Sequence, residues 1–123
     1  MPTVSLDNTI TLALSVRDRH ASADWYEKNL GFELLVHFDE AGWSELRTNT
    51  EGVTLGLGEQ MEPMPGNMVP VFGVPDIATA RTALEDAGVR FDGETETIEG
   101  MVSTATFYDP DGNALMLAQD LSK

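Results

Sequence analysis

The feature that most constrains this chain is a junction that occurs twice. Val16-Arg17-Asp18 and Val74-Pro75-Asp76 stand 58 positions apart, each closing an apolar strand pattern and opening a helical one. A strand followed at once by an aspartate that can cap a helix allows few local structures. A second copy at fixed spacing implies that the whole fold is built twice.

The flanking periodicities agree. Thr9 to Val16 alternates strictly, with Ile10, Leu12, Leu14 and Val16 on one side and Thr9, Thr11, Ala13 and Ser15 on the other, the pattern of a half-buried strand. A helix carrying Ala21, Trp25 and Tyr26 then runs to a glycine stop at Gly31. Phe32–Phe38, Trp43–Thr48 and Val53–Leu57 read as strands. In the second half, a strand Val69–Val74 precedes a helix with Ile77, Ala80, Leu84 and Ala87 at helical spacing and a stop at Gly88. Phe91–Thr97, Val102–Tyr108 and Ala114–Ala118 follow as strands, the last after the tight turn Asp109-Pro110-Asp111-Gly112-Asn113. The expected fold is α+β: one domain over residues 1–123, made of two tandem βαβββ modules at about 8–58 and about 69–119, joined by a Pro-, Gly- and Met-rich linker at about 59–68. A sheet covered by a helix on one face leaves the other free. Two curved sheets with outer helices and facing inner faces are expected to enclose a cleft.

Composition excludes several function classes. Of 123 residues, 21 are Asp or Glu and 7 are Lys or Arg, a formal charge of -14 that opposes nucleic-acid or anionic-membrane partners. With no Cys there is no disulfide, thiolate metal site or thiol nucleophile. The N-terminus lacks a signal pattern and no apolar run is long enough to span a membrane, so a cytoplasmic location is expected. The segment from Phe91 to Ser122 has no Lys or Arg but seven carboxylates. It reads as a solubilising face, an attractor of cationic ligands or an adaptation to salt.

Four segments resemble a known family. Leu14-Ser15-Val16-Arg17-Asp18, Ala23-Asp24-Trp25-Tyr26-Glu27-Lys28-Asn29-Leu30-Gly31-Phe32, Phe72-Gly73-Val74-Pro75-Asp76 and Phe107-Tyr108-Asp109-Pro110-Asp111-Gly112-Asn113 resemble the vicinal oxygen chelate superfamily. It includes glyoxalase I, extradiol dioxygenases, fosfomycin-inactivating transferases and bleomycin resistance proteins. The resemblance implies paired βαβββ modules, a homodimer, and in the enzymes a divalent metal held by His, Glu or Gln from the first and last strands of each module. Carried over residue by residue, those ligand positions fall on Thr11, Val69, Met116 and about Leu55. Val, Leu and Met offer no oxygen or nitrogen donor and a lone Thr hydroxyl is weak, so no metal and no cofactor are expected. His20 reads as a surface residue, and His37 as a strand residue able to face the cleft without a ligand set around it.

The expected function is metal-independent binding of a small organic molecule, cationic or aromatic, as in the bleomycin-resistance branch that sequesters drugs. The alternative is a metal-dependent lyase/isomerase or dioxygenase of the glyoxalase I type. Candidate ligand-binding residues are Thr11, His37, Trp43, Glu45, Arg47, Leu55, Val69, Met101, Tyr108 and Met116; no catalytic residue is named. If Leu46 faces the helix, then Trp43, Glu45 and Arg47 face the cleft, where an indole can stack on a planar ligand. The apolar candidates would equally compose an ordinary core. Which of Phe107 and Tyr108 turns inward is open at this level, as is the role of Met61, Met64 and Met68.

Overall fold

Each helix begins where an aspartate caps it. In the computed structural model, which describes residues 7–63 and 68–122, Asp18 and Asp76 have extended backbones and accept from the amides of Ala21 (3.1 Å) and Thr79 (3.2 Å), satisfying first-turn donors that have no intrahelical partner. Gly31 ends the first helix at φ 72, a left-handed conformation that glycine adopts without steric cost.

The chain divides into two compact units, Met1–Pro63 and Met64–Lys123. The first contains β1 (Ile10–Val16), α1 (Arg19–Leu30), β2 (Glu33–Phe38), a 3-10 turn (Asp39–Ala41), β3 (Trp43–Arg47) and β4 (Val53–Glu59). The second contains β5 (Val71–Gly73), α2 (Ile77–Asp86), β6 (Arg90–Ile98), β7 (Val102–Tyr108) and β8 (Ala114–Asp120). Their sheets have the same order, β1-β4-β3-β2 and β5-β8-β7-β6, with the first and last strands parallel and the rest antiparallel. The fold is therefore two tandem βαβββ modules, mixed α+β.

In each unit one face of the sheet is buried under the helix. Leu14, Val16, Tyr26, Phe32, Leu46, Leu55 and Leu57 form the first core, and Ile77, Leu84, Ala105, Phe107, Leu115 and Leu117 the second. Tyr26 is wholly buried, while Trp25 is half-buried and meets Tyr26 edge-on at 4.9 Å. The turn after β7 is closed by its own side chains: Asp109 Oδ1 accepts from the amides of Asp111 (2.9 Å) and Asn113 (2.8 Å), and Asn113 Nδ2 donates to Asp109 Oδ2 (2.8 Å). Both residues are buried, so each polar atom engaged there avoids a desolvation penalty.

Two expectations are corrected. The strand expected over residues 69–74 is only Val71–Gly73, because Pro70 has no amide to give a ladder; its carbonyl still accepts from Met116 N at 2.9 Å. Irregularities interrupt both helix-following strands, between Leu34 and Val36 in β2 and between Asp92 and Glu96 in β6. In β2 the irregularity adds one residue, which reverses the facing of the side chains beyond it; in β6 it adds two, which restores the facing. Met64 and the rest of 64–67 lie outside the described residues. Among the described residues no helix is long and apolar enough to cross a membrane.

Candidate functional site

The first sheet's open face, away from α1, is set by register. Thr11 pairs with Thr54, Ala13 with Gly56 and Ser15 with Gly58 across β1 and β4, while Glu45 pairs with Gly56, Trp43 with Gly58 and Arg47 with Thr54 across β4 and β3. These residues share one side, and Leu46, Leu55 and Leu57 share the other, which is fully buried.

Trp43 dominates the open side. A Cβ built on Gly56 would collide with the Trp43 ring, and one on Gly58 would lie 3.6 Å from it. The indole thus lies across two glycines of β4, which let it approach the backbone closely. Its Nε1 donates to Glu45 Oε2 at 2.9 Å, tying an aromatic and a carboxylate together. Beside them the Thr11 and Thr54 hydroxyls share a hydrogen bond (2.9 Å), and Arg47 pairs with Glu33 at 2.6 Å. Arg47 and Thr54 also border a pocket of ≈ 480 Å³ that reaches Thr9 and the β3–β4 turn, within the size range of small-molecule sites.

The second sheet's open face carries Val71, Met116, Thr104, Thr106 and Tyr108. Register answers the question about the β7 aromatics: Phe107 is wholly buried and Tyr108 half-exposed on the open side. Desolvation first, then the charge and hydrogen bond of Asp92, push the Tyr108 phenol above its ordinary value, against the opposing charge of Arg90. The Arg90 guanidinium sits 4.7 Å from the Tyr108 ring centroid. Met116 borders a small pocket of ≈ 90 Å³ with Asp92, Glu96, Thr104 and Thr106.

Other candidates lie elsewhere. Leu55 was expected on the inner face but faces α1 and is wholly buried. The residue of the first module that corresponds in register to Met116 is Gly56, since Ala13 pairs with Gly56 as Val71 pairs with Met116. Val69 precedes β5, and Met101 is exposed at the β6–β7 turn. His37 does not face the open side: the β2 irregularity pairs it with Ser44, a buried residue on the α1 side. Thr54 has no signal in the sequence because alternation fixes a face only once the register is known, whereas Gly56 and Gly58 within a strand pattern already point to a close backbone approach.

His37 joins a polar cluster at the start of α1 that the sequence did not reveal. Arg19, 4% exposed, donates to Ser44 Oγ (2.9 Å), Asp39 Oδ1 (3.2 Å) and the Trp43 carbonyl (3.4 Å), and its Nε stands 3.2 Å from Glu59 Oε1. Hydrogen bonds from His20 and then Arg19 hold the Asp39 carboxyl below its ordinary value.

The metal set implied by the resemblance does not fit these residues. Thr11 and Thr54 spend their hydroxyls on each other, Met116 offers only a thioether, Val69 nothing, and Gly56 lies beneath an indole.

Comparison with known proteins gives a match of the Glyoxalase/Bleomycin resistance protein/Dioxygenase superfamily profile to residues 9–117. No curated protein matches the chain. Among solved structures it is similar to a Glyoxalase/bleomycin resistance protein/dioxygenase superfamily member from Sphaerobacter thermophilus DSM 20745 (TM-score 0.79, 22% identity, 97% of this chain and 100% of that one). It is also similar to TnmS3, an antibiotic binding protein from Streptomyces sp. CB03234 (TM-score 0.77, 24% identity, 98% and 99%). The fosfomycin resistance protein FosX from Listeria monocytogenes, complexed with Mn(II) and sulfate, has the same fold (TM-score 0.75, 13% identity, 94% and 92%).

Proposed function

This chain belongs to the Glyoxalase/Bleomycin resistance protein/Dioxygenase superfamily, and from that premise we propose that it binds a small, planar organic molecule on the open face of its first sheet without using a metal. The observation that carries this is Trp43, laid across Gly56 and Gly58 and tied through Nε1 to Glu45. An indole supplies a large stacking surface, and a carboxylate beside it favours a ligand that carries positive charge. The Thr11–Thr54 hydroxyl pair and the pocket bordered by Arg47 support a ligand with polar substituents. The overall charge of -14 favours approach of a cation over an anion.

Sequestration of an antibiotic or a toxic metabolite in the cytoplasm, by a homodimer, is the role we propose for such binding. It is in keeping with the antibiotic binding described for one structural neighbour. The decisive experiment is calorimetry on chelator-treated protein against a panel of cationic polycyclic and glycopeptide antibiotics. Saturable binding that survives the chelator is expected, and Trp43→Ala should weaken it about tenfold or more, from the ~1.5 kcal/mol an aromatic pair can contribute. Binding restored only by added metal, or unchanged in Trp43→Ala, overturns the reading.

A further inference from the structure

A second grouping of donor atoms lies on the α1 side of the first sheet, away from the face proposed for the organic ligand. His20 comes from the first turn of α1, His37 from β2, and Asp39 from the 3-10 turn that follows it. One donor atom from each of the three lies within 4.8 Å of those of the other two. The two imidazoles are stacked at 3.8 Å with an interplanar angle of 19°.

We propose that His20, His37 and Asp39 form a site for a divalent transition ion of borderline hardness, Zn²⁺ or Co²⁺, that pins the start of α1 to the β2–β3 hairpin. Two imidazole nitrogens and one carboxylate oxygen are the donor set such ions take, whereas Mg²⁺ and Ca²⁺ call for oxygen donors. Three protein donors leave a coordination position for water.

The supporting shell is in place. His37 Nδ1 is bonded to Ser44 Oγ at 2.6 Å, which fixes the ring and leaves Nε2 to coordinate. Ser44 is itself wholly buried and held by Arg19 at 2.9 Å, the kind of outer contact that orients a ligating histidine. Asp39 engages both Arg19 and His20 through Oδ1, so its second oxygen can take the ion while Arg19 stays bound.

Two features set the strength of the site. Donors of a tetrahedral ion at ~2.0–2.1 Å bonds stand about 3.4 Å apart, and rings that lie nearly parallel do not aim their lone pairs at one point. The stack must therefore open, and His20, whose side chain is 56% exposed, is the ring free to turn. Arg19 opposes an added cation. Asp18, Asp39, Glu40 and Glu59 lie in the segments that carry the cluster and outnumber it. Affinity is accordingly expected to be micromolar, weaker than that of a preformed closed zinc site.

The test is titration of chelator-stripped full-length protein with ZnCl₂ by calorimetry in excess Mg²⁺, and with CoCl₂ by visible absorption. One saturable site per chain is expected, with a Co²⁺ band that shows nitrogen ligation. His20→Gln and Asp39→Asn should each weaken Zn²⁺ at least tenfold; His20→Gln changes a side chain that is 56% exposed, and its metal-free form should unfold thermally close to the parent. Ser44→Ala should weaken it about 10–100-fold. Affinity unchanged in His20→Gln, or binding abolished by Mg²⁺, would show ions held by the acidic surface at large and overturn the site. Organic-ligand binding takes no part in this readout, so the two proposals fail independently.

Discussion

Arg19 and Ile77 occupy the same place in two copies of one architecture. Each follows the capping aspartate, each is buried, and each has its backbone amide received by a side chain from the end of the last strand: Arg19 N by Glu59 (3.3 Å), Ile77 N by Gln119 (2.9 Å). The second module fills that slot with an apolar side chain and a neutral acceptor. The first fills it with a guanidinium that needs Glu59, Asp39 and Ser44 around it. The open faces differ as sharply. Trp43, Glu45 and Arg47 on β3 correspond in register to Thr104, Thr106 and Tyr108 on β7, and Gly56 to Met116. The backbone repeat tolerates either solution because it constrains volume and hydrogen-bond count at each slot, not chemical type.

The largest effect should come from breaking the charged slot. Arg19→Ala empties a buried slot and removes the donor to Ser44 Oγ and the Trp43 carbonyl, and should cost about 3 kcal/mol, read from urea unfolding. Arg19→Ile with Glu59→Gln installs the second module's solution and should recover at least half of that loss, since an apolar side chain refills the buried volume. No recovery would mean that the two slots are not equivalent.

A smaller effect is expected on the open faces. Gly56→Ala drives a methyl into the Trp43 ring and should cost about 2 kcal/mol, whereas Met116→Ala on the half-exposed equivalent should cost less than about 1 kcal/mol. Trp43→Ala should relieve most of the Gly56→Ala penalty, and a double-mutant cycle measures how much. Additive costs would show that the indole does not rest on Gly56.

Smallest is a titration in the second module. With its folded value raised above the unfolded one, Tyr108 favours the folded state fully below pH about 10, and that contribution is lost as pH rises through the folded value. Alkaline difference absorbance should show a late-ionising phenol that is lost in Tyr108→Phe. Asp92→Asn removes the acceptor charge and should move it back toward the ordinary range.

Repeat, helix starts and strand identities were legible in the sequence because they depend on neighbours a few residues away: Asp18 and Asp76 as caps, Gly31 as a stop, strict alternation over Thr9–Val16. The side on which Trp43, Glu45 and Arg47 lie followed from Leu46, whose apolar character assigns it to the core. Sequence and structure part where a strand carries an irregularity or where a position depends on cross-strand register. His37 lies on the helix side because β2 has an extra residue, and the equivalent of Met116 is Gly56 and not Leu55 because of the β1–β4 register. Nothing local betrays either, since a strand's hydrogen-bond register is fixed by a partner far along the chain.

The sequence by itself therefore determined the architecture, a doubled βαβββ unit of strongly acidic composition. Only the tertiary structure decided which side chains meet: an indole over two glycines of a neighbouring strand, and two imidazoles, a carboxylate and a buried guanidinium drawn from a helix start, a strand and a turn. Periodicity specifies a face from within a segment, but proximity across segments depends on register and crossing, which are settled when the sheet forms.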